Sequence, residues 1–175
     1  MKYYVMQVRA LFEERYIHLC EHLINTFEIK LYFPKREYFE RRQGKNEKVQ
    51  KPVFSGYVFL EIKDCYSIDI LFSQLRAVEG FLRFLHSNDN ITQLTGRDLE
   101  IVLRFLQNKG ITGISKVYFN ENDRIVVKAG PLAGLEGAIT KVDKRKRRAR
   151  VRLNFCSEAF AVDLGFEIIE GRPDT

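Results

Sequence analysis

The sequence has no tryptophan, only four prolines, and three cysteines that lie far apart. Cys20, Cys65 and Cys156 form no CxxC pair, so their spacing predicts three free thiols in a reducing cytosol and neither a zinc site nor a disulfide framework. No stretch approaches the roughly 20 apolar residues that a membrane span requires, and Arg9 interrupts the first residues before a signal peptide could form. These absences predict a cytoplasmic protein with no membrane partner.

Catalytic motifs are also absent. The chain contains no GxSxG, P-loop, HExxH or GxGxxG sequence, and its acids are scattered. His18 and His22 lie four residues apart and could share a metal ion, but no third ligand of suitable spacing follows, so an exposed helix face is the favoured interpretation. Cys65 and Cys156 have no histidine nearby in the sequence, which disfavours nucleophilic thiols. We therefore expect no enzyme activity, no metal and no cofactor.

What the sequence has is a concentration of positive charge. The whole chain has a net charge of +6, yet KVDKRKRRARVR, residues 141–152, alone holds eight cations and one acid. A turn at 143–147 followed by a strand would place Ala149, Val151 and Leu153 inward and alternate arginines outward. An inert surface normally mixes both signs, so a binding footprint is favoured over a solvated face. Its cations are Lys141, Lys144, Arg145, Lys146, Arg147, Arg148, Arg150 and Arg152.

A second basic segment covers residues 35–51, with seven cations and three acids. Its centre, RQGKN, has the glycine that a tight turn between two strands requires. The simplest interpretation is a charged hairpin that protrudes into solvent.

Residue periodicity divides the chain into two regions. Residues 1–107 predict strand, helix, hairpin, helix, strand and helix, an α+β domain with an antiparallel sheet. Residues 108–117 have two glycines and no clear period, so a linker is expected. Short strands separated by turns over 118–171 predict a small β-barrel, although KRKRRARVRL would also tolerate a helix. The three helix faces are predicted from Phe12, Tyr16, Leu19 and Leu23; from Ile68, Leu71, Phe72 and Leu75; and from Leu99, Val102, Leu103 and Leu106.

The strand VFSGYVFLEI, residues 53–62, is apolar on both faces. A strand with one face in water would alternate apolar and polar residues. The alternation assigns Phe54 to the face of Val58, opposite Tyr57 and Phe59. Two interpretations stay open: a central strand covered on both sides, or a partly exposed aromatic patch for a protein partner.

Four segments of the sequence carry motifs of one known family, in the order in which that family has them. VVKAGPLAGLEGAITKVD resembles the KOW motif, with Gly130, Gly134 and Gly137 at its turns. RRQGKNEKVQ followed by FSGYVFLEI resembles the charged hairpin and the F-x-G-Y-V strand of the amino-terminal NusG domain, and VEGFLRFL resembles its V-x-G strand. AFAVDLGFEIIE resembles the closing KOW strands. The resemblance to the NusG family of transcription factors spans nearly the whole chain and implies an α+β NusG domain followed by a small SH3-like KOW β-barrel.

This resemblance implies a transcription elongation regulator whose amino-terminal domain binds the clamp helices of bacterial RNA polymerase, here through Phe54, Tyr57 and Phe59. In the general factor, the KOW domain binds Rho or a ribosomal protein through a loop with the sequence F-G-R. This chain instead has NFCSEAF, with Cys156 and Ser157 after the phenylalanine. The general factor of some bacteria reads the non-template DNA strand with an Asn-Thr pair, where this chain has Ala77-Val78.

These departures favour a specialised paralogue of the LoaP or RfaH type. The expected protein is a monomer that promotes processive antitermination at particular operons, with the basic KOW tract on nascent RNA, in the form of a hairpin. Non-template DNA is a further expected partner, weaker than RNA because the barrel has no recognition helix. Two alternatives stay open: a general NusG factor that couples polymerase to the ribosome or Rho, and an RNA-binding KOW protein of ribosome assembly.

Overall fold

The computed structural model describes residues 1–24, 29–63, 68–85 and 91–170. The strands in chain order are β1 (Lys2–Val8), β2 (Ile29–Tyr32), β3 (Lys35–Arg42), β4 (Lys45–Pro52), β5 (Tyr57–Ile62), β6 (Phe81–Phe84), β7 (Ile111–Thr112), β8 (Ser115–Phe119), β9 (Ile125–Ala129), β10 (Ile139–Asp143), β11 (Arg148–Phe155) and β12 (Glu158–Ile168). The helices are α1 (Glu13–Leu23), α2 (Ile68–Ala77) and α3 (Gly96–Gly110), with a 3-10 turn at Glu136–Ala138. None of the helices in these described ranges is long and apolar enough to cross a membrane.

The chain divides into two compact units. The first contains Met1–Pro34 and Phe54–Leu103, and the second contains Lys35–Val53 and Arg104–Thr175. The first unit has 8 Lys and Arg against 11 Asp and Glu, a net charge of −3, while the second has 21 against 12, a net charge of +9. The division of the sequence at 107 and 118 stays a prediction, and the structure groups the β3–β4 hairpin with the carboxy-terminal strands.

The first unit is built on an antiparallel sheet with the strand order β2-β5-β1-β6. Its core includes residues of this sheet, α1 and α2, and the buried Tyr16 hydroxyl of α1 donates to the Leu75 carbonyl oxygen of α2 at 2.9 Å. The predicted helices are present, but the face of α1 differs. Tyr16, Cys20 and Ile24 are buried at successive steps of four, whereas Leu23 is 68% exposed. The step of four residues continues one apolar line along a helix, and Leu23 lies beside that line.

The second unit contains a five-stranded sheet with the order β10-β11-β12-β8-β9, an SH3-like KOW barrel. On β11, Ala149, Val151 and Leu153 are buried and the intervening residues are exposed, as the alternation predicted. The preceding turn is also present, so the basic tract forms a turn and a strand and not a helix. The fold is therefore α+β with a KOW barrel, as expected.

Two details of the second unit differ from the sequence prediction. The expected linker contains β7 and the first residues of β8. Strand β8 pairs in parallel with β12. The two closing strands form one long strand, β12. Among the predicted KOW glycines, Gly130 has φ +100° and a Cβ there would lie 2.6 Å from the Ser115 Cα, whereas a Cβ on Gly137 would meet open space.

The β3–β4 hairpin forms around the predicted turn at Gln43–Gly44, where both residues have positive φ. Its tip is exposed, but its base is not a solvated protrusion, because Tyr38 is buried and β3 packs on β12. A Cβ on Gly165 of β12 would lie 2.6 Å from the carbonyl oxygen of Glu37. A glycine at this position therefore allows the two backbones to approach closely.

Candidate functional site

The aromatic residues expected to bind polymerase are buried in this structure. Phe54 and Phe59 are inaccessible and Tyr57 is 6% exposed. Val58 belongs to the core beside α1 and α2, whereas the Phe54 ring lies 5.7 Å from the Phe59 ring. The assignment of Phe54 to the face of Val58 was therefore wrong, because Gly56, with φ +83°, interrupts the alternation. Here β5 is a central strand covered on both faces.

A buried acid sets the position of this aromatic strand. Glu13, in the first turn of α1, is 3% exposed, and its carboxylate accepts hydrogen bonds from the Gly56 N–H at 2.6 Å and the Ser55 hydroxyl at 3.4 Å. The Gly56 carbonyl oxygen accepts from the Val8 N–H at 2.8 Å. Sequence reasoning missed Glu13, because an acid in the first turn of a helix is ordinarily explained by the helix dipole.

Some cations of the basic tract form ion pairs or hydrogen bonds within the described part of the protein, and others do not. Lys144 forms an ion pair with Asp123 and lies 4.0 Å from the centroid of the Phe119 ring. The Asp143 carboxylate accepts the Lys146 N–H at 2.8 Å and so orders the turn. Within the described residues, five exposed side chains of the tract have no ion pair or hydrogen bond: Lys141, Arg145, Lys146, Arg147 and Arg152.

Arg150 is partly neutralised by a neighbouring strand. Its Nε and Nη2 donate to the two carboxylate oxygens of Asp163 at 2.7 and 3.1 Å. These hydrogen bonds hold the pKa of Asp163 below its ordinary value, although burial acts to raise it. The positive charges of Arg36 and Arg148 also lower this pKa.

Arg148 turns towards the hairpin. Its guanidinium carbon lies 3.8 Å from the centroid of the Tyr38 ring, and its Nη2 donates to the Phe39 carbonyl oxygen at 2.9 Å. The side chain is 19% exposed and lies 3.9 Å from a carboxylate oxygen of Glu40. Its Nε is buried and has no hydrogen-bond partner in the described part of the chain. Arg150 and Arg152 are exposed, as the alternation on β11 predicted, whereas Arg148 is largely enclosed.

A groove of about 420 Å³ separates the tip of the hairpin from the basic turn. Among the described residues, five cations and one acid line this groove, so the net charge of this lining is +4. The groove brings Arg41 beside the tract, a residue that sequence reasoning did not assign to the site because 104 positions separate it from Arg145. The lining residues are Phe39, Glu40, Arg41, Gly44, Asn46, Arg145, Lys146, Arg147 and Arg148.

The other candidate side chains lie apart from these sites. The Nε2 atoms of His18 and His22 are 3.1 Å apart on the exposed face of α1, and no group of three or more potential metal ligands occurs among the described residues. Cys20 and Cys156 are buried, and neither forms a disulfide within the described residues. Burial raises the pKa of the Cys20 thiol to about 11, so it stays protonated at neutral pH. Cys65 lies outside the described residues.

Two positions that departed from the family pattern have clear structures. Cys156 and Ser157 both have positive φ and form the tight turn between β11 and β12. The Phe155 ring before them is buried, 6.1 Å from the ring of Phe160. Val78, after the end of α2, is also buried, in the core of the first unit.

Comparison with known proteins agrees with this architecture. Residues 1–103 match the family model described as transcription termination factor nusG. The chain is 28% identical over 174 residues to the transcription termination/antitermination protein NusG of Buchnera aphidicola subsp. Acyrthosiphon pisum, covering 97% of this chain and 95% of the relative. It is 25% identical over 175 residues to that of Escherichia coli strain K12, with the same coverage.

A solved structure described as domain interaction in Thermotoga maritima NusG has a TM-score of 0.54 and 17% identity, and covers 94% of this chain and 93% of that one. This similarity concerns the fold. Together, the fold and the relatives define a non-enzymatic bacterial transcription factor. The chain belongs to the NusG family, whose relatives act in transcription termination and antitermination.

The Arg150–Asp163 pair predicts how stability depends on pH. Because the pKa of Asp163 is lower in the folded than in the unfolded protein, its stabilisation is complete above the unfolded pKa, about 4, and is lost as pH falls through the folded pKa. We expect Asp163→Asn to reduce the loss of unfolding free energy between about pH 5 and pH 2. Urea denaturation across this pH range would measure the free energy of unfolding, and Glu170→Gln, at an exposed position, is the control. Identical pH dependence in wild type and Asp163→Asn would contradict this role.

Proposed function

We propose that this chain is a specialised NusG-family factor that binds RNA polymerase and promotes processive antitermination at particular operons, with its basic barrel surface on nascent RNA. The observation that carries the proposal is the charge distribution. Five cations of the tract have no partner within the described residues, and they lie in a unit of net charge +9. Such a surface attracts a polyanion over a long range. A transcription factor acts where RNA is being made, which favours RNA as that polyanion.

The alternative of a general factor that couples polymerase to Rho or the ribosome has less support. The family loop for those partners corresponds to the turn at Cys156 and Ser157, which has neither the glycine nor the arginine of that loop. The preceding Phe155 is buried and so offers little surface to a partner. These features favour a barrel adapted to another ligand.

Non-template DNA is also a weaker partner than RNA. Val78 stands where some general factors carry a base-reading side chain, and it is buried among apolar residues. Neither Ala77 nor Val78 has a polar side-chain atom that could hydrogen-bond to a base edge. Recruitment by a structured RNA is therefore the favoured route to particular operons.

The proposed polymerase contact is the aromatic strand containing Phe54, Tyr57 and Phe59. Because these rings are buried here, a partner can reach them only in a state that uncovers this face of β5. Glu13 would keep the strand ready for such a contact, since it holds the Ser55–Gly56 turn between Phe54 and Tyr57. Large aromatic side chains are the residue type that most often anchors a protein interface.

Tyr57→Ala is expected to weaken polymerase binding by about 2 kcal/mol or more, roughly 30-fold, because it removes a buried aromatic anchor. Tyr57→Phe should retain most of the affinity. Binding of the full chain to purified polymerase would be measured by biolayer interferometry, with circular dichroism to establish folding and Tyr118→Ala on β8 as a control for loss of a tyrosine. If folded Tyr57→Ala bound as tightly as wild type, the assignment of Tyr57 to the polymerase contact would be wrong.

For RNA, we expect a steep dependence of affinity on salt. If about four phosphates are neutralised, the log–log slope should lie between roughly −2.8 and −3.6, and affinity should fall about a hundredfold between 50 and 200 mM salt. Replacing the five unpartnered cations of the tract with alanine should flatten this slope and abolish read-through of a terminator reporter while polymerase binding persists.

The matched control is Lys116→Ala with Arg124→Ala, two exposed cations of the same unit outside the tract. It should leave the salt slope and the read-through near wild type. Full read-through by the five-residue variant would rule out a role for the tract in antitermination. Equal binding of the leader RNA and a scrambled unstructured RNA by wild type would rule out recognition of an RNA hairpin.

A further inference from the structure

The groove between the hairpin tip and the basic turn has two walls from distant parts of the sequence. Arg41 lies on the hairpin wall, and Arg145, Lys146 and Arg147 lie on the turn wall. Among the described residues, Glu40 is the one acid that lines it, and a carboxylate oxygen of Glu40 lies 3.9 Å from the Arg148 Nη2. Arg41 and the three cations of the turn are exposed, so their charge is available to a ligand.

Contacts at the base of the hairpin fix the two walls relative to each other. The Arg148 guanidinium lies over the Tyr38 ring and donates to the carbonyl oxygen of Phe39, which itself lines the groove. The close approach of Gly165 to Glu37 holds the same strand against β12. The carboxylate of Asp143 orders the opposite wall through the Lys146 N–H. A site that is preorganised in this way loses less conformational entropy when it binds a ligand.

We propose that this groove binds the sugar-phosphate backbone of RNA, and that Arg41 of the hairpin is an RNA-binding residue. The inference rests on the proposed RNA-binding function and deepens it by making the hairpin the second wall of the site. Three exposed arginines supply planar guanidinium groups that can hold a phosphate through two hydrogen bonds and can also stack on an unpaired base. The groove volume, about 420 Å³, lies within the range of small-ligand sites.

An RNA loop or bulge fits this groove better than other polyanions. A phosphate that enters from an unpaired nucleotide can meet cations on two sides, whereas the phosphates of a regular DNA duplex lie on a convex surface. The barrel places a sheet and a turn here, and its described residues contain no α-helix that could enter a DNA major groove. An acidic peptide would supply carboxylates to the same arginines, and competition distinguishes it from RNA.

The test compares Arg41→Ala with Lys51→Ala in the full-length protein. Both variants remove one exposed cation from the same hairpin, but Lys51 does not line the groove. Fluorescence anisotropy with a labelled stem–loop RNA would be measured over a range of salt concentrations. We expect Arg41→Ala to weaken binding about three- to tenfold and to reduce the magnitude of the log–log salt slope by about one. Lys51→Ala should stay within about twofold of wild type.

The outcomes separate this inference from the proposed function. If Arg145→Ala weakens RNA binding and Arg41→Ala does not, the groove is not the RNA site, while the proposal that the tract binds RNA is retained. If wild type does not bind the RNA at all, the proposed function fails with it. Equal binding of a DNA duplex of the same stem sequence, or equally effective displacement of the RNA by polyglutamate, would overturn the assignment of the ligand as RNA.

Discussion

The contact between the Arg148 guanidinium and the Tyr38 ring connects the hairpin to the barrel, and the architecture of the second unit depends on it. A cation over an aromatic ring contributes about 0.5–2 kcal/mol, depending on desolvation, and the hydrogen bond to the Phe39 carbonyl oxygen adds a charged donor. The buried Nε without a partner in the described residues opposes this gain. The close packing at Gly165 supports the same association without charge.

This contact changes what the basic tract can do. A sequence of eight cations suggests eight phosphate contacts, but three of those side chains are engaged in the protein: Arg148 with the hairpin, Arg150 with Asp163, and Lys144 with Asp123. The five others lie on β10, on the turn and on the exposed face of β11, and the hairpin adds Arg41 at the groove. The proposed binding surface therefore lies nearer the turn than the face of β11. Its residues come from two segments that are far apart in the sequence.

Local patterns were sufficient to predict much of the fold. The alternation on β11, the turn at Gly44 and the periodicity of α2 each depend on neighbouring residues, and all three are present. Features that depend on distant contacts were missed. The packing of β3 on β12 gives no signal in either segment alone, and the parallel pairing of β8 with β12 turned part of an expected linker into a strand. The backbone break at Gly56 reversed the face of Phe54, an effect that simple alternation cannot include.

The most direct test of this account is a double-mutant cycle between Arg148 and Tyr38. Arg148→Met keeps the aliphatic stem, Tyr38→Leu keeps apolar volume, and the free energy of unfolding of both single variants and the double variant would be measured by urea denaturation. We expect the two changes to be coupled, by about 0.5–2 kcal/mol, because each removes the same cation–π contact. Effects that add within about 0.3–0.5 kcal/mol would show that the hairpin and the barrel do not depend on this contact and would contradict the account.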